Sequence, residues 1–96
     1  MIFMKRKCVL ISGPTIASDN KLGNDIQKYA VVITNSDNRK LFSILKEKKI
    51  ELILFEIVKE NLADIEFIRE AKSDFPEILI ILIDGIGREF ILLRIL

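Results

Sequence analysis

The amino-acid sequence predicts an α/β domain in which a parallel sheet is covered by helices on both faces, a doubly wound fold. Three observations carry this. Short, continuous runs of apolar and β-branched residues recur along the chain, and segments with apolar residues at helical spacing separate them. The runs show no in/out alternation, which is the habit of strands buried on both sides. The resulting order is strand–helix three times, closed by a fourth strand, with right-handed crossovers expected. At 96 residues, the chain makes one such domain or part of one.

The elements follow in order. Cys8 to Ile11 is an apolar run stopped by Ser12-Gly13-Pro14, a buried strand and a turn. Leu22, Ile26 and Tyr29 fall on one face of a first helix, weakened by Gly23, with 15–20 as loop. Ala30 to Thr34 is the second strand. Asn35-Ser36-Asp37-Asn38 then supplies turn and capping chemistry for a helix carrying Leu41, Ile44 and Leu45 on one side. Leu52 to Val58 is the third strand, and Leu62, Ile65, Ile68 and Ala71 mark the sheet-facing side of a third helix that Phe75-Pro76 ends. Ile78 to Ile83 is the fourth strand, apolar on both faces.

Residues 88–96 have two readings. Strand–helix alternation favours a fourth helix, whereas Asp84-Gly85 is a hairpin signal that would lead into a strand. As a helix, Phe90, Ile91, Leu92, Leu93, Ile95 and Leu96 leave little polar face, so this segment is the expected interface. With nothing beyond it, the fourth strand becomes an open sheet edge that invites pairing between copies. A homodimer through this region is expected; downstream sequence is the other source of cover.

Composition removes several functions. Cys8 is the single cysteine and histidine is absent. An internal disulfide, the usual soft zinc ligands, and Ser-His or Cys-His nucleophile pairs are therefore excluded. Fifteen basic and fourteen acidic residues are interleaved, and the only tight basic cluster is Lys5-Arg6-Lys7, so no direct nucleic-acid partner is expected. Neither a signal peptide nor a membrane-spanning run of roughly 18 apolar residues is visible. A cytoplasmic protein with no membrane contact is the expectation.

In an open parallel sheet, ligands bind outside the carboxyl ends of the strands. Ser12 and Gly13 stand at the end of the first strand, Glu56 near the end of the third, and Asp84 at the end of the fourth. One hydroxyl and two carboxylates on one rim would suit a hard cation such as magnesium. Solvated loop-edge residues would look the same in sequence.

Residues 51–56, ELILFE, and the following IVKENLADIEFIREAKSDFPEILIILIDG resemble the middle of a response-regulator receiver domain. Such domains show an acidic-aliphatic strand ending in Asp, a helix with an IEFLRE-like face, and FP before the next strand. The segments 29–32 and 41–45 resemble the second strand and second helix of that fold, so the likeness runs from about residue 7 onward. The resemblance implies a flavodoxin-like sheet whose fifth strand and final helix are missing or supplied elsewhere. It also implies a phosphoryl acceptor at position 56, an acidic pair for magnesium at 12 and 13, and a hydroxyl at 84. The chain departs at each, with Glu56, Ser12, Gly13 and Asp84, and Glu60 replaces the family's proline. The family's fifth-strand lysine has no counterpart before Leu96.

Phosphoryl transfer depends on positioning and on a metal that bridges the reacting oxygens. Without the acidic pair, and with Glu56 about one methylene longer than Asp, near-attack geometry is lost. The expectation is a degenerate receiver, a phosphorylation-independent interaction module of two-component, phosphorelay type serving transcription regulation. It is expected to be no enzyme, to need no cofactor or magnesium, and to meet protein partners such as an output domain or a second copy. Glu56 then either stands in for a phosphorylated acceptor or is a vestigial polar residue. The alternative is a small flavodoxin-like ligand- or metal-binding domain or enzyme using the strand rim.

Overall fold

The computed structural model of the chain describes residues 6–57, 62–84 and 90–91. Its elements are β1 (Cys8–Ser12), α1 (Asn20–Gln27), β2 (Val31–Asn35), α2 (Leu41–Glu47), β3 (Leu52–Ile57), α3 (Leu62–Asp74), β4 (Leu79–Asp84) and β5 (Phe90–Ile91). Single 3-10 turns at Ile16–Ser18 and Asn38–Lys40 precede α1 and α2. The sheet order is β2-β1-β3-β4-β5. The first four strands are parallel, with Leu10 opposite Ile33 and Ile53, and Ile53 opposite Ile80. This is the flavodoxin-like, doubly wound order, and the chain reverses direction across the sheet between β1 and β3.

Each face of the sheet builds its own core. On one face Leu10, Ile53, Phe55, Ile80 and Leu82 meet Leu41 and Leu45 of α2 and Ile68 and Ala71 of α3. On the other, Val9, Ile11, Leu54 and Ile83 lie with Ile16 and Ala30, and Leu22 and Ile26 of α1 pack on them. Side chains alternate along a strand, so the two sets interleave in sequence and read as one unbroken apolar run. Each fully buried Leu or Ile contributes roughly 1.5–3 kcal/mol.

Three local expectations are corrected. The spacing puts Tyr29 on the buried side of the first helix, but it is 81% exposed, because α1 ends at Gln27. The amides of Tyr29 and Ala30 both bond Ile26 O, and Ala30 takes the buried position instead. In α3 the buried face runs through Asp64, Ile68 and Ala71, while Ile65 is 42% exposed. Asp64 sits in the first turn, where a carboxylate suits the helix dipole. The rotation also brings Phe67 to Phe42 of α2, ring centroids 5.7 Å apart. The third correction concerns β4, whose far face is not fully covered: Leu79 is 55% exposed.

The helix expected over 88–96 gives way to a strand where the chain is described. Phe90 and Ile91 pair antiparallel with Ile83 and Leu82, the hairpin alternative. The fifth strand expected to be missing or supplied elsewhere is therefore present in this chain, and β4 is not the open sheet edge expected along these residues. The physical reason is the row of unpaired backbone groups on β4's outer side, which a strand satisfies and a helix does not. The side chains of Phe90 and Ile91, and Leu92, Leu93, Ile95 and Leu96 altogether, lie outside the described residues.

Candidate functional site

The carboxyl ends of β1, β2 and β3 carry a buried polar assembly: Ser12, Asn35 and Glu56 are at most 7% exposed. Strand alternation divides it between the two faces. Glu56 follows Leu54 onto the α1 face, whereas Ser12 follows Leu10, and Asn35 follows Ile33, onto the face of α2 and α3.

On the α1 face, the Glu56 carboxylate holds the loop that leaves β1. Its Oε1 accepts from the amides of Thr15 at 2.8 Å and Ile16 at 3.0 Å, and its Oε2 accepts from the Thr15 hydroxyl. These amides open the 3-10 turn at Ile16–Ser18, where the donors have no partner within the turn. Gly13 makes the close approach possible. It has φ +152°, and a Cβ there would stand 2.3 Å from Glu56 Cβ. Glycine is needed at this position both for its backbone angle and for the space.

On the opposite face, the Ser12 hydroxyl donates to Asn38 Oδ1 at 2.7 Å and accepts from Asn35 Nδ2 at 3.0 Å. Asn35 Nδ2 also donates to Asp37 O, and Asn35 Oδ1 accepts from the Asp37 amide, an Asx turn that closes the end of β2. Asn38 Nδ2 donates to Glu56 O at 3.1 Å, and Gly13 N donates to Asn35 O at 2.8 Å. The backbone of Glu56 thereby joins the loop after β2, while its side chain joins the loop after β1.

Charge at the border of the site is neutralised locally. Asp37 caps the turn Asn38–Lys40 through the Arg39 amide and also binds the Arg39 guanidinium at 3.0 and 3.1 Å. The hydrogen bonds from Arg39 hold the Asp37 carboxyl below the ordinary carboxylate range and raise the guanidinium. Away from the rim, burial and then the nearby Glu51 carboxylate push the Cys8 thiol up.

Of the expected rim residues, the structure brings Ser12, Gly13 and Glu56 together. It turns Ser12 and Glu56 to opposite faces, so they do not share one pocket. Asp84 ends β4 on the same rim, opposite Ile57, and its side chain lies outside the described residues. Thr15, Asn35 and Asn38 also belong to the assembly, although the sequence marks 15 only as loop and 35 and 38 only as turn and capping residues. Their signal was a hydroxyl two residues after the glycine turn, and two asparagines flanking the exit of a strand.

Among the described residues every buried side-chain nitrogen and oxygen has a hydrogen-bond partner. No group of three His, Cys, Asp or Glu suited to a metal occurs among them. What the arrangement does chemically is tie two loops to three strand ends. No helix among the described residues is long and apolar enough to cross a membrane. No family model matches the chain, nor does any curated protein or solved structure.

Proposed function

We propose that this chain is a receiver-like regulatory domain of two-component type, acting in the cytoplasm by protein contact and without phosphoryl transfer. The observation that carries the reading is the state of Glu56. At the position where the resemblance implies a phosphoryl acceptor, the carboxylate is 1% exposed and takes three donors from the loop after β1. A nucleophile must offer a free oxygen to its substrate, and these oxygens are spent on the fold. The parallel order β2-β1-β3-β4 supports the same reading at the level of the fold.

Glu56 on this reading is a structural tie in place of a stand-in for phosphate. Its side-chain partners, Thr15 and Ile16, lie in the loop after β1, away from the fourth-strand and fifth-strand positions that sense phosphate in receivers. Partner contact on this reading runs through the apolar residues 90–96, with self-association as one outlet.

The test is an amide NMR titration with magnesium and then beryllofluoride, which stands in for an acyl phosphate. The expected result is no saturable shift at Ser12, Thr15, Ile16, Asn38 or Glu56. Saturable shifts there would overturn the reading and return phosphotransfer to this rim.

A further inference from the structure

Parallel strands bring to one end of the sheet residues that lie far apart in the chain. At the amino ends of β2, β1 and β3 those residues are cations. Arg6 and Lys7 lead into β1, Lys28 leads from α1 to β2, and Lys46, Lys48 and Lys49 lead from α2 to β3; all six are exposed. Two backbone bonds and one from a side chain hold the three entries side by side. Val31 N donates to Lys7 O at 2.9 Å, Glu51 N donates to Cys8 O at 3.0 Å, and Arg6 Nη1 reaches Gln27 O at 3.5 Å. The positive charge of Lys48 is felt at the Cys8 thiol, where it opposes the upward shift.

The acidic groups at this end are fewer and partly engaged. Asp25 pairs with Lys28 at 3.8 Å, Glu51 accepts from the Cys8 amide, and Glu47 is exposed. Beside the cations, Tyr29 is 81% exposed and Val31 is 47% exposed. An exposed aromatic ring beside excess positive charge has the chemistry that an anionic segment with an apolar residue would complement.

The extent of the field decides between partners. Beneath β4 the sign changes: Asp74 and Glu77 are exposed, and the Lys72 ammonium is occupied by Pro76 O and Ile78 O, both at 2.8 Å. The basic field therefore covers three strand ends, about 10 Å at a strand spacing of about 4.8 Å, or three to four residues of extended chain at about 3.3 Å each. A nucleic-acid strand crossing this end would run its phosphates onto Asp74 and Glu77, and single-strand binders rely on a longer basic groove with successive aromatics.

We propose that the amino ends of β2, β1 and β3 dock a short acidic segment of a partner protein, carboxylates on the cations and an apolar residue on Tyr29. The proposal rests on the protein-contact reading above and names the chemistry of one partner.

The probe is a blocked octapeptide of glutamates with one central phenylalanine, compared with its glutamine counterpart and with an octathymidylate DNA. The expected result is saturable amide shifts at Lys7, Lys28, Tyr29 and Lys48, with Thr15 and Ile16 unmoved and binding weakened by added salt. Combining Lys28→Glu with Lys48→Glu should weaken the glutamate peptide about tenfold, and Tyr29→Ala about threefold. Equal binding of the glutamine peptide, shifts confined to other surfaces, or no shift at all would overturn the proposal. Tighter binding of the DNA would overturn it in favour of a nucleic-acid surface. Each of these failures leaves the magnesium and beryllofluoride result untouched, so the two readings fall separately.

Discussion

Glu56 and Gly13 form one unit, because the glycine supplies the space that the carboxylate fills. Gly13→Ala would place a methyl carbon 2.3 Å from Glu56 Cβ at φ +152°. The expected loss is about 2–4 kcal/mol, read as a lowered midpoint in urea unfolding, since overpacking and an unfavourable backbone angle add. Glu56→Ala removes the acceptor of three donors, and stranded buried donors cost about 1–3 kcal/mol each before water repairs them. Faster hydrogen exchange confined to the Thr15 and Ile16 amides, with core amides protected, is the local signature expected. Cys8 makes a prediction of opposite character. Its thiol is pushed up by burial and by Glu51, so thiolate is scarce near neutrality and alkylation should run slower than in the unfolded chain. A folded value above the unfolded one means that this group's contribution to stability is fully present below about pH 8.5. The contribution is lost as pH rises from there through the folded value, so unfolding midpoints should fall in that window. A Cys8→Ser protein should lack that component.

Among the elements, α3 states its orientation most sharply. Ile68 is 1% exposed and Ile65 is 42% exposed, although both lie on the apolar stripe that the sequence suggests. Ile68→Ala should cost about 2–5 kcal/mol, whereas Ile65→Ala should cost under about 1 kcal/mol. Chemical denaturation of the two variants measures the phase of the helix directly, and equal losses would refute the rotation described above. The turn before α2 has its own pH dependence. Asp37 titrates below its ordinary value because of Arg39, so its stabilising effect is present above about pH 3.9 and disappears as pH falls through the lower folded value. Arg39→Ala should move the Asp37 titration, followed by carboxyl NMR, back toward the ordinary value.

For the whole molecule, two separate cores on the faces of one sheet make β1 and β3 common property of both layers. Leu10 and Ile11, adjacent in sequence, are each fully buried yet belong to different clusters. Loss of either should therefore lower the stability of the entire domain in one cooperative transition. Partner contact through residues 90–96 predicts association that grows with protein concentration in light scattering. A mass that stays monomeric across the micromolar range would count against it.

Much of this architecture was legible along the chain. Continuous apolar runs such as 52–55 and 78–83 suggest cover on both sides and so a parallel sheet between helices, although Leu79 at the start of the second run stays exposed. The rim was legible only as positions: Ser12, Gly13 and Glu56 could be placed at strand ends because strands stop where apolar runs stop. Tertiary structure decided what those residues face. Strand parity sends Ser12 and Glu56 to opposite sides, and the loop carrying Thr15 folds back onto Glu56 because Gly13 leaves no Cβ in the way. It also decided that Tyr29 leaves the core and that Arg6, Lys28 and Lys48 share one end of the sheet. Period and polarity are local properties, so they can be read from neighbouring residues. Which distant residues meet depends on strand order, and that is settled only when the whole sheet assembles.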